Sequence, residues 1–363
     1  MDSSFFTILP NNYSNQTCDL YVHRSKARIL MPLFYSCVFL IGLIGNVIAL
    51  LVIYQNRRKL NSTTLYSTHL VISDIFFVFS LPTRIAYYAL GFHWLFGEVF
   101  CRITSLIFYI NTYASVNFMT CLSVDRFFAV VHPYRYNKIR RANCAKLICI
   151  LVWLIVFFQT LPLLLQPMSK KEPDEKITCM EYPNFETIPN LPLLLLGACF
   201  IGYLIPLVTI LVCYSQISKN LYQSAKKNPL MEKSGTNKKA INTIILVIVV
   251  FFFCFTPYHI AIIQHMFKKL TYTPDCKEQQ YFQLSLHITV CLMNMNCGLD
   301  PFIYFFACKG YKRKVLRILR QQVSISSSSA TRPAAEESSR DIVPCQSIVQ
   351  PNTVHLTDHT NTL

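Results

Sequence analysis

The chain has 363 residues, of which 53% are hydrophobic and 14% are charged, and its formal net charge is +16. A soluble domain carries about 25% charged residues, so this composition argues against a large soluble α-helical protein. The positive charge is concentrated in clusters that follow apolar runs, which argues against a nucleic-acid-binding surface.

Seven long apolar runs predict seven membrane-spanning helices, because about 20 consecutive apolar residues cross a bilayer as a helix. The connections between the runs are short, so we expect one all-α bundle over residues 29–306 rather than several domains. A tail of residues 1–28 precedes the bundle. The predicted spans are 29–54, 65–91, 101–131, 145–167, 191–217, 240–266 and 282–306.

The distribution of basic residues predicts the orientation of the bundle. Basic clusters follow the odd-numbered spans, whereas the alternate loops mix signs, as in "KKEPDEK" at 170–176. The positive-inside rule places the N-terminus outside the cell and the C-terminus inside, at a plasma membrane whose anionic inner lipids attract the clusters. Glycosylation sequons at Asn12 and Asn15 lie in the predicted outer tail, whereas a third at Asn61 lies in an inner loop and should stay unmodified.

Four of the 15 cysteines fall on the predicted outer side, where disulfides persist. These four are Cys18, Cys101, Cys179 and Cys276, and they allow three pairings. Most of the other cysteines lie within the spans, where we expect them to fill apolar space.

The second span holds two ionisable residues, Asp74 and Arg84, in an otherwise apolar stretch. At the rise of an α-helix they lie about 15 Å apart along the axis, so they cannot pair with each other. Each intramembrane charge needs its own partner. The sequence therefore predicts one site deep in the bundle and a second site nearer its outer end.

Arg84 lies about 10 Å below the outer end of its span, and tyrosines of the third and sixth spans reach similar depth. These tyrosines are Tyr109, Tyr113 and Tyr258. A few convergent polar groups in apolar surroundings predict a ligand pocket that opens toward the outer half. The alternative is that the tyrosines anchor the bundle or bond to its backbone.

The residue types around this pocket suit a rigid apolar ligand that carries hydroxyl groups. A phosphorylated ligand would favour several converging Arg or Lys residues, and Arg84 is the one deep basic residue in this part of the sequence. We expect Phe108, Phe255 and Leu81 to contribute to the lining. Glu181 follows Cys179, so we expect it over the pocket, where its charge can neutralise Arg84.

Asp74 and Asp300 are two intramembrane acids at similar predicted depth. Two nearby carboxylates do not both ionise freely, so they share a proton or hold a cation between them. Asn111, Ser115 and Asn296 offer neutral oxygens, and the set suits a hard cation such as Na⁺. The alternative is a purely structural hydrogen-bond cluster.

At its inner end the third span carries the pair Asp125 and Arg126, about 25 Å below Tyr109. Taken alone, an arginine at the end of a membrane helix more often extends its side chain to the membrane interface.

Prolines interrupt the fifth, sixth and seventh spans and permit kinks. These prolines are Pro206, Pro257 and Pro301.

The segment after the last span, 307–321, has apolar residues at helical spacing with basic residues between them, which predicts an amphipathic eighth helix on the inner leaflet. Cys308 is either a palmitoylation site or a plain thiol. Residues 322–363 are rich in Ser, Thr, Pro and Asn, and we expect them to be disordered. Serines within 324–331 are either phosphorylation sites for an arrestin-type partner or part of a flexible polar tail.

Motifs in the seven spans resemble those of the class A, or rhodopsin-like, G-protein-coupled receptors, and they occur in the family's order. They are "GN" at 45–46, "LVISD" at 70–74, "CLSVDRFFAVVHP" at 121–133, Trp153, Pro206 with Tyr214, "CFTP" at 254–257 and "DPFIY" at 300–304. The resemblance implies a seven-helix receptor without catalytic activity that switches a heterotrimeric G protein. A transporter is the alternative class, but the repeated halves of many transporters are not visible here.

The resemblance also implies roles for individual residues. Disulfides would join Cys101 to Cys179 and Cys18 to Cys276. The G-protein switch would comprise Asp125, Arg126, Tyr214 and Tyr304. An allosteric sodium ion, and no other cofactor, would bind at Asp74, Asn111, Ser115 and Asp300. The chain departs from the family pattern at Phe255, where Trp is usual, and at Asp300, where Asn is usual.

Within that family the chain resembles the oxysterol receptors of leukocytes. The resemblance is carried by "LPTRIAYYA" at 81–89, "ITCMEYPNF" at 177–185 and "FTPYHIAIIQHM" at 255–266. It implies a dihydroxylated cholesterol, such as 7α,25-dihydroxycholesterol, as the ligand, with coupling to inhibitory G proteins and control of B-cell migration. The implied ligand contacts are Arg84, Tyr109, Tyr113 and Tyr258. A chemokine-like peptide or a nucleotide is the alternative ligand.

Overall fold

The structure, a computed structural model, describes residues 18–55, 61–132, 142–182, 188–227, 236–307, 313 and 315–317. Seven helical spans run through these ranges and correspond in order to the seven spans predicted from the sequence. The first four are Arg24–Gln55, Ser62–Ala89, Gly97–Val131 and Ala142–Leu164. The fifth comprises Leu191–Cys199, the π-helical Phe200–Leu204 and Ile205–Lys227, the sixth is Thr236–Thr271, and the seventh comprises Cys276–Asn294 and Asn296–Ala307.

The first two spans begin where polar contacts hold their first turns. The first span starts at Arg24, before its predicted start, and the Arg24 guanidinium pairs with Asp174 at 2.7 Å. The second span starts after Asn61, whose side-chain oxygen accepts a hydrogen bond from the Thr64 N–H at 2.8 Å. This is the usual role of an asparagine N-cap, so the sequon residue Asn61 serves as a helix cap.

The seventh span differs from the others in composition. Six of the described spans contain a window apolar enough to cross a membrane, and the seventh does not. Beyond its first turns several polar side chains are buried, among them Gln283, His287, Asn294 and Asp300. Because these groups face the interior of the bundle and not lipid, the seventh span crosses the bundle despite its low hydropathy.

The third span lies at the centre of the bundle and packs against the second, fourth and fifth spans. The first span packs against the second and seventh, and the sixth packs against the fifth and seventh. The contact of the first and seventh spans is close at Gly45, where an added Cβ would lie 2.5 Å from Pro301 Cγ. Among the described residues, the fourth and fifth spans form no extensive contact with each other.

The fifth span accommodates Pro206 by a change of helix type. Proline has no N–H and cannot continue the hydrogen-bond pattern of an α-helix. The turn before Pro206, Phe200–Leu204, is π-helical, and the Ile205 N–H bonds to the Phe200 carbonyl. Such π-bulges are a known way to insert a kink, and this one brings Gly202 against the third span.

Both disulfides lie at one end of the bundle, which we call the disulfide end. Cys101, near the start of the third span, bonds to Cys179, and Cys18 bonds to Cys276 at the start of the seventh span. These are the two pairings implied by the family resemblance, and the structure confirms them.

A short antiparallel hairpin follows the fourth span at the disulfide end. Its strands are β1 (Ser169–Lys171) and β2 (Ile177–Cys179). The carboxylate of Glu98, in the first turn of the third span, accepts hydrogen bonds from the backbone N–H groups of Met168 and Ser169 at 2.9 and 2.8 Å. Together with the disulfide of Cys179, these bonds fix the hairpin over the bundle.

Several predictions fall outside the described residues. They include the sequons at Asn12 and Asn15, the side chain of Tyr304 and the tail 322–363. Of the predicted eighth helix, residues 307, 313 and 315–317 are described, and they are helical.

Candidate functional site

A cavity of about 690 Å³ lies toward the disulfide end of the bundle. Its wall comes from the second to seventh spans and from the residues that follow the hairpin. The four predicted ligand contacts, Arg84, Tyr109, Tyr113 and Tyr258, all line it, together with Phe108. The fold therefore brings together the residues of three spans that we predicted to lie at a common depth.

Arg84 is buried and has few partners in the part of the chain that the structure describes. One guanidinium N–H donates to the Cys179 carbonyl and another to the Tyr88 hydroxyl, both at 3.3 Å. The guanidinium also lies near the rings of Tyr87 and Tyr88, 5.5 and 5.3 Å from their centroids, a distance at which cation–π attraction operates. Arginine has five N–H donors, and among the described residues two of them have acceptors at this long distance. The group therefore keeps donors for a ligand.

Glu181 lines the cavity as predicted, and its hydrogen bonds go to residues other than Arg84. The carboxylate accepts hydrogen bonds from Tyr87 at 2.9 Å, Gln283 at 2.8 Å and His287 at 3.0 Å. Its effect on Arg84 is electrostatic and acts without a direct hydrogen bond. The loop backbone is fixed by the disulfide at Cys179, so Glu181 points toward the second and seventh spans.

The charge of Glu181 is supported by its neighbours. Burial alone raises the pKa of Glu181, but His287, Arg84 and Tyr87 each lower it, and the net pKa is below the ordinary value of a glutamate. Glu181 is therefore a buried carboxylate that carries its charge, and it supplies the counter-charge for Arg84.

A chain of polar groups continues from Glu181 toward the N-terminal segment. His287 Nδ1 and His23 Nε2 lie 2.8 Å apart, so one of the two nitrogens carries the proton of this hydrogen bond. Burial and the neighbouring His287 lower the pKa of His23 below its usual 6.5, although Glu181 and Asp19 oppose the shift. This series of hydrogen-bonded groups was not predicted from the sequence. Its signal was Gln283 and His287 one turn apart in a predicted membrane span.

The three tyrosines present free hydroxyl groups to the cavity. Among the described residues, none of the hydroxyls of Tyr109, Tyr113 and Tyr258 has a hydrogen-bond partner, and all three side chains line the cavity. The Tyr113 ring packs closely against Gly202, since a Cβ added to this glycine would lie 2.6 Å from Tyr113 Cε1. Among the described residues these hydroxyls do not bond to the backbone, which argues against that part of the alternative; the other part, that the tyrosines anchor the bundle, stays a prediction.

Two predicted lining residues, Leu81 and Phe255, do not line the cavity. Both are fully buried, and Phe255 packs against Phe251 with ring centroids 5.4 Å apart. Each lies three residues, or about one helical turn, deeper than the residue of its span that does line the cavity, Arg84 or Tyr258. The floor of the cavity thus lies one turn nearer the disulfide end than we expected.

On one side the cavity wall reaches the outer surface of the bundle. Phe158, Leu193 and Ile201 line the cavity and are 66%, 61% and 55% exposed, respectively. They belong to the fourth and fifth spans, which form no extensive contact with each other among the described residues. Exposed apolar side chains at this level of a membrane bundle face lipid, so the cavity adjoins the lipid phase.

The two deep acids lie where the sequence predicted them. Asp74 and Asp300 are fully buried, and Asn111 donates to Asp74 at 2.9 Å. Asn296 donates to Ser115 at 2.9 Å. Among the described residues, three carboxylate oxygens, Asp74 Oδ2 and both oxygens of Asp300, have no donor. Carboxylate oxygens of this kind suit either a small hard cation or a shared proton. These residues therefore fit the expected sodium ion and also fit the structural alternative.

At the opposite end of the bundle, Asp125 is bonded to the start of the second span. Its carboxylate accepts hydrogen bonds from Ser62 and from Thr63, the latter at 2.6 Å. The hydroxyls of Ser123 and Tyr214 lie 3.0 Å apart. Arg126 follows Asp125 and is partly exposed, so the third span links the cavity at one end to a charged surface at the other.

Comparison with known proteins identifies the relatives of the chain. The family model described as 7 transmembrane receptor (rhodopsin family) matches residues 45–304. G-protein coupled receptor 183 of Homo sapiens is 67% identical over 334 residues, which cover 92% of each protein. The protein of the same name from Salmo salar is 60% identical over 334 residues, 92% of this chain and 91% of the relative. The uracil nucleotide/cysteinyl leukotriene receptor of Homo sapiens is 32% identical over 291 residues, 80% of this chain and 77% of the relative.

Proposed function

Because the chain belongs to the rhodopsin family of seven-transmembrane receptors, we propose that it is a receptor for a hydroxylated sterol that signals through an inhibitory G protein. As a member of this family it is a multi-pass protein of the plasma membrane and a receptor rather than an enzyme. It has a ligand and a heterotrimeric G protein as partners. The identity of both is the subject of the proposal.

The observation that carries the sterol proposal is the pairing of an apolar cavity with a few unused polar groups. Arg84 keeps N–H donors, and the hydroxyls of Tyr109, Tyr113 and Tyr258 have no partner among the described residues. A cavity of about 690 Å³ is within the usual range for a drug-sized ligand. A rigid apolar molecule with two or three hydroxyls, such as 7α,25-dihydroxycholesterol, satisfies these groups without carrying a charge into the cavity.

The contact between the cavity and the lipid phase supports the same ligand class. A sterol partitions into the bilayer, so it can reach a cavity that adjoins the lipid between the fourth and fifth spans. A nucleotide would arrive from water and would bring several negative charges. Among the described lining residues, Arg84 is accompanied by the acidic Glu181, and this environment disfavours phosphate groups.

We place the disulfide end outside the cell. Disulfides persist in oxidising compartments, and both disulfides lie at that end. The opposite end then faces the cytoplasm, where Asp125, Arg126, Tyr214 and Tyr304 form the switch for the G protein. Arrestin would bind after phosphorylation of the tail, and in leukocytes the signal would direct cell migration.

Activation follows from the two ends of the bundle being linked by the same helices. A sterol bonded to Arg84 and Tyr258 favours the arrangement in which the sixth span moves outward below Pro257. The ligand shifts this balance only by its different affinity for the two arrangements. A sodium ion at Asp74 and Asp300 would favour the inactive arrangement, because its ligands come from the second and seventh spans and hold them together.

The experiment is an assay of cyclic-AMP inhibition in cells that express the chain. The panel contains hydroxylated sterols, uracil nucleotides, cysteinyl leukotrienes and chemokines, each with and without pertussis toxin, which uncouples inhibitory G proteins. We expect a toxin-sensitive response to a dihydroxylated cholesterol. A response to nucleotides or chemokines with none to any sterol would overturn the proposal.

A further inference from the structure

Among its described residues, the fourth span contributes one polar side chain to the cavity wall, Gln159. Both of its polar atoms, Oε1 and Nε2, are buried, and neither has a hydrogen-bond partner among the described residues. A buried amide without partners costs free energy, so its retention at a cavity needs a reason. The other lining residues from the fourth and fifth spans are apolar, which makes Gln159 the polar feature of that side.

Gln159 lies next to Tyr113. Both side chains approach Gly202 of the fifth span, because a Cβ added to this glycine would lie 3.4 Å from Gln159 Nε2 and 2.6 Å from Tyr113 Cε1. The Tyr113 hydroxyl has no partner among the described residues. An amide can both donate and accept, and so can a phenol, so the pair can bind a neutral hydroxyl group in either direction.

The cavity therefore has two polar ends of different character. On the side of the second and seventh spans, Arg84, Glu181 and His287 form a charged end. On the side of the fourth and fifth spans, Gln159 and Tyr113 form a neutral end. The remaining wall is largely aliphatic and aromatic, with Phe108 among the residues of the third span.

We propose that Gln159 is a specificity-determining residue that binds a hydroxyl at the end of the ligand farthest from Arg84. This inference rests on the proposed sterol ligand and adds to it the requirement for two separated hydroxyls. Ligand binding supplies the missing partner of the amide. A sterol without the corresponding hydroxyl leaves that amide unpaired, as in the unliganded protein, and gains nothing from it.

The test is the variant Gln159→Met, which keeps an unbranched side chain of similar length and removes the amide. Phe158→Leu is the matched control, since it alters the neighbouring lining residue without changing a polar group. Competition binding would use 7α,25-dihydroxycholesterol and three analogues that each lack one hydroxyl, at position 3, 7 or 25. Thermal unfolding of each unliganded variant would be measured in parallel.

Loss of one neutral hydrogen bond should weaken binding of the full ligand to Gln159→Met by about threefold to tenfold. For one of the three analogues the weakening should vanish, whereas Phe158→Leu should affect all four sterols alike. The unliganded Gln159→Met protein should be as thermostable as the wild type or more so.

An equal effect of Gln159→Met on all four sterols, or no effect, would overturn the subsite and leave the sterol proposal intact. A clear loss of thermostability would assign the amide a structural role and would also overturn it. If no sterol binds the wild-type protein, the proposed function fails and the subsite fails with it.

Discussion

The buried carboxylate of Glu181 should stabilise the disulfide end of the bundle through its charge. The substitution Glu181→Gln keeps the shape of the side chain and removes that charge. The group is 3% exposed and accepts hydrogen bonds from Tyr87, Gln283 and His287. An amide can accept from two of these donors, and it turns its own NH₂ group toward the third. Arg84 then has no acidic neighbour in the lining.

The expected loss of stability follows from the charge of Arg84, which remains buried when the charge of Glu181 is removed. Removing one partner of a buried set of opposite charges costs about 3–5 kcal/mol, because the remaining charge stays uncompensated. Arg84 keeps the Cys179 carbonyl and the tyrosine rings, so we expect a loss near the lower value, about 3 kcal/mol. For a bundle of this length, an unfolding entropy of about 2.1 cal/mol/K per residue makes this a fall of about 5 °C in Tm.

The assay is thermal unfolding of the purified receptor in detergent with lipid, without ligand. Glu175→Gln is the matched control, since Glu175 lies in the same loop region with a side chain that is 86% exposed and a lysine partner at 3.8 Å, and exposed pairs contribute little. Tyr87→Phe removes one of three donors and should cost about 1 kcal/mol. If Glu181→Gln lowers Tm no more than Glu175→Gln does, the carboxylate does not stabilise Arg84 and our reasoning about the charged end is wrong.

Three further predictions concern the cavity wall, the histidine chain and the deep acids. Gly202→Ala should displace the Tyr113 ring, whose Cε1 would lie 2.6 Å from the new methyl group, and should weaken sterol binding by about tenfold. Gly197→Ala is the control and should leave binding unchanged, because no atom lies within 4 Å of the added methyl group. Equal effects of the two variants would contradict a role of the Gly202–Tyr113 contact. Burial holds the pKa of His23 below 6.5 in the folded protein, so the unfolded protein binds more protons and stability should fall as the pH drops below about 6.5. His23→Gln should reduce this pH dependence, measured by thermal unfolding at pH 5.5 and 7.5. An unchanged pH dependence in the variant would exclude His23 as its source. Sodium chloride should raise the Tm of the wild type more than choline chloride does. Asp74→Asn should reduce the difference, because the site loses a carboxylate that a cation would neutralise. Equal effects of the two salts on the wild type would argue against a sodium site.

The sequence predicted the bundle and most of the polar cavity because both follow from helix geometry. Hydropathy gives the spans, and the rise per residue gives the common depth of Arg84, Tyr109 and Tyr258 on three different spans. Depth along an axis does not say where a cavity ends, however. Leu81 and Phe255 share a helix face with Arg84 and Tyr258, yet they lie one turn below the floor.

The contacts of Glu181 were beyond sequence reasoning for another reason. The residue follows a disulfide-linked hairpin, and the direction of its side chain depends on where Cys179 and β2 lie over the bundle. No local periodicity encodes this placement. The role of Gln159 was not predicted for a similar reason. A single glutamine in an apolar span does not indicate a binding residue until Tyr113 and Gly202 are known to lie beside it.

The prolines show an intermediate case. Pro206 predicted an interruption of the fifth span, and the structure contains one. The form of the interruption, a π-helical turn from Phe200 to Leu204, could not be read from the proline alone.

The proposed function depends on a hydrogen bond between Arg84, which is buried in the cavity wall, and a hydroxyl of the sterol. This dependence can be measured by saturation binding of tritiated 7α,25-dihydroxycholesterol to membranes that contain the wild type, Arg84→Ala or Arg102→Ala. Arg102→Ala is the control, because Arg102 lies in the third span and pairs with Glu98 at 2.6 Å. Loss of a hydrogen bond to a charged group should weaken binding by roughly tenfold to a hundredfold in Arg84→Ala, with Arg102→Ala close to wild type. Unchanged sterol affinity in a correctly folded Arg84→Ala receptor would contradict the claim.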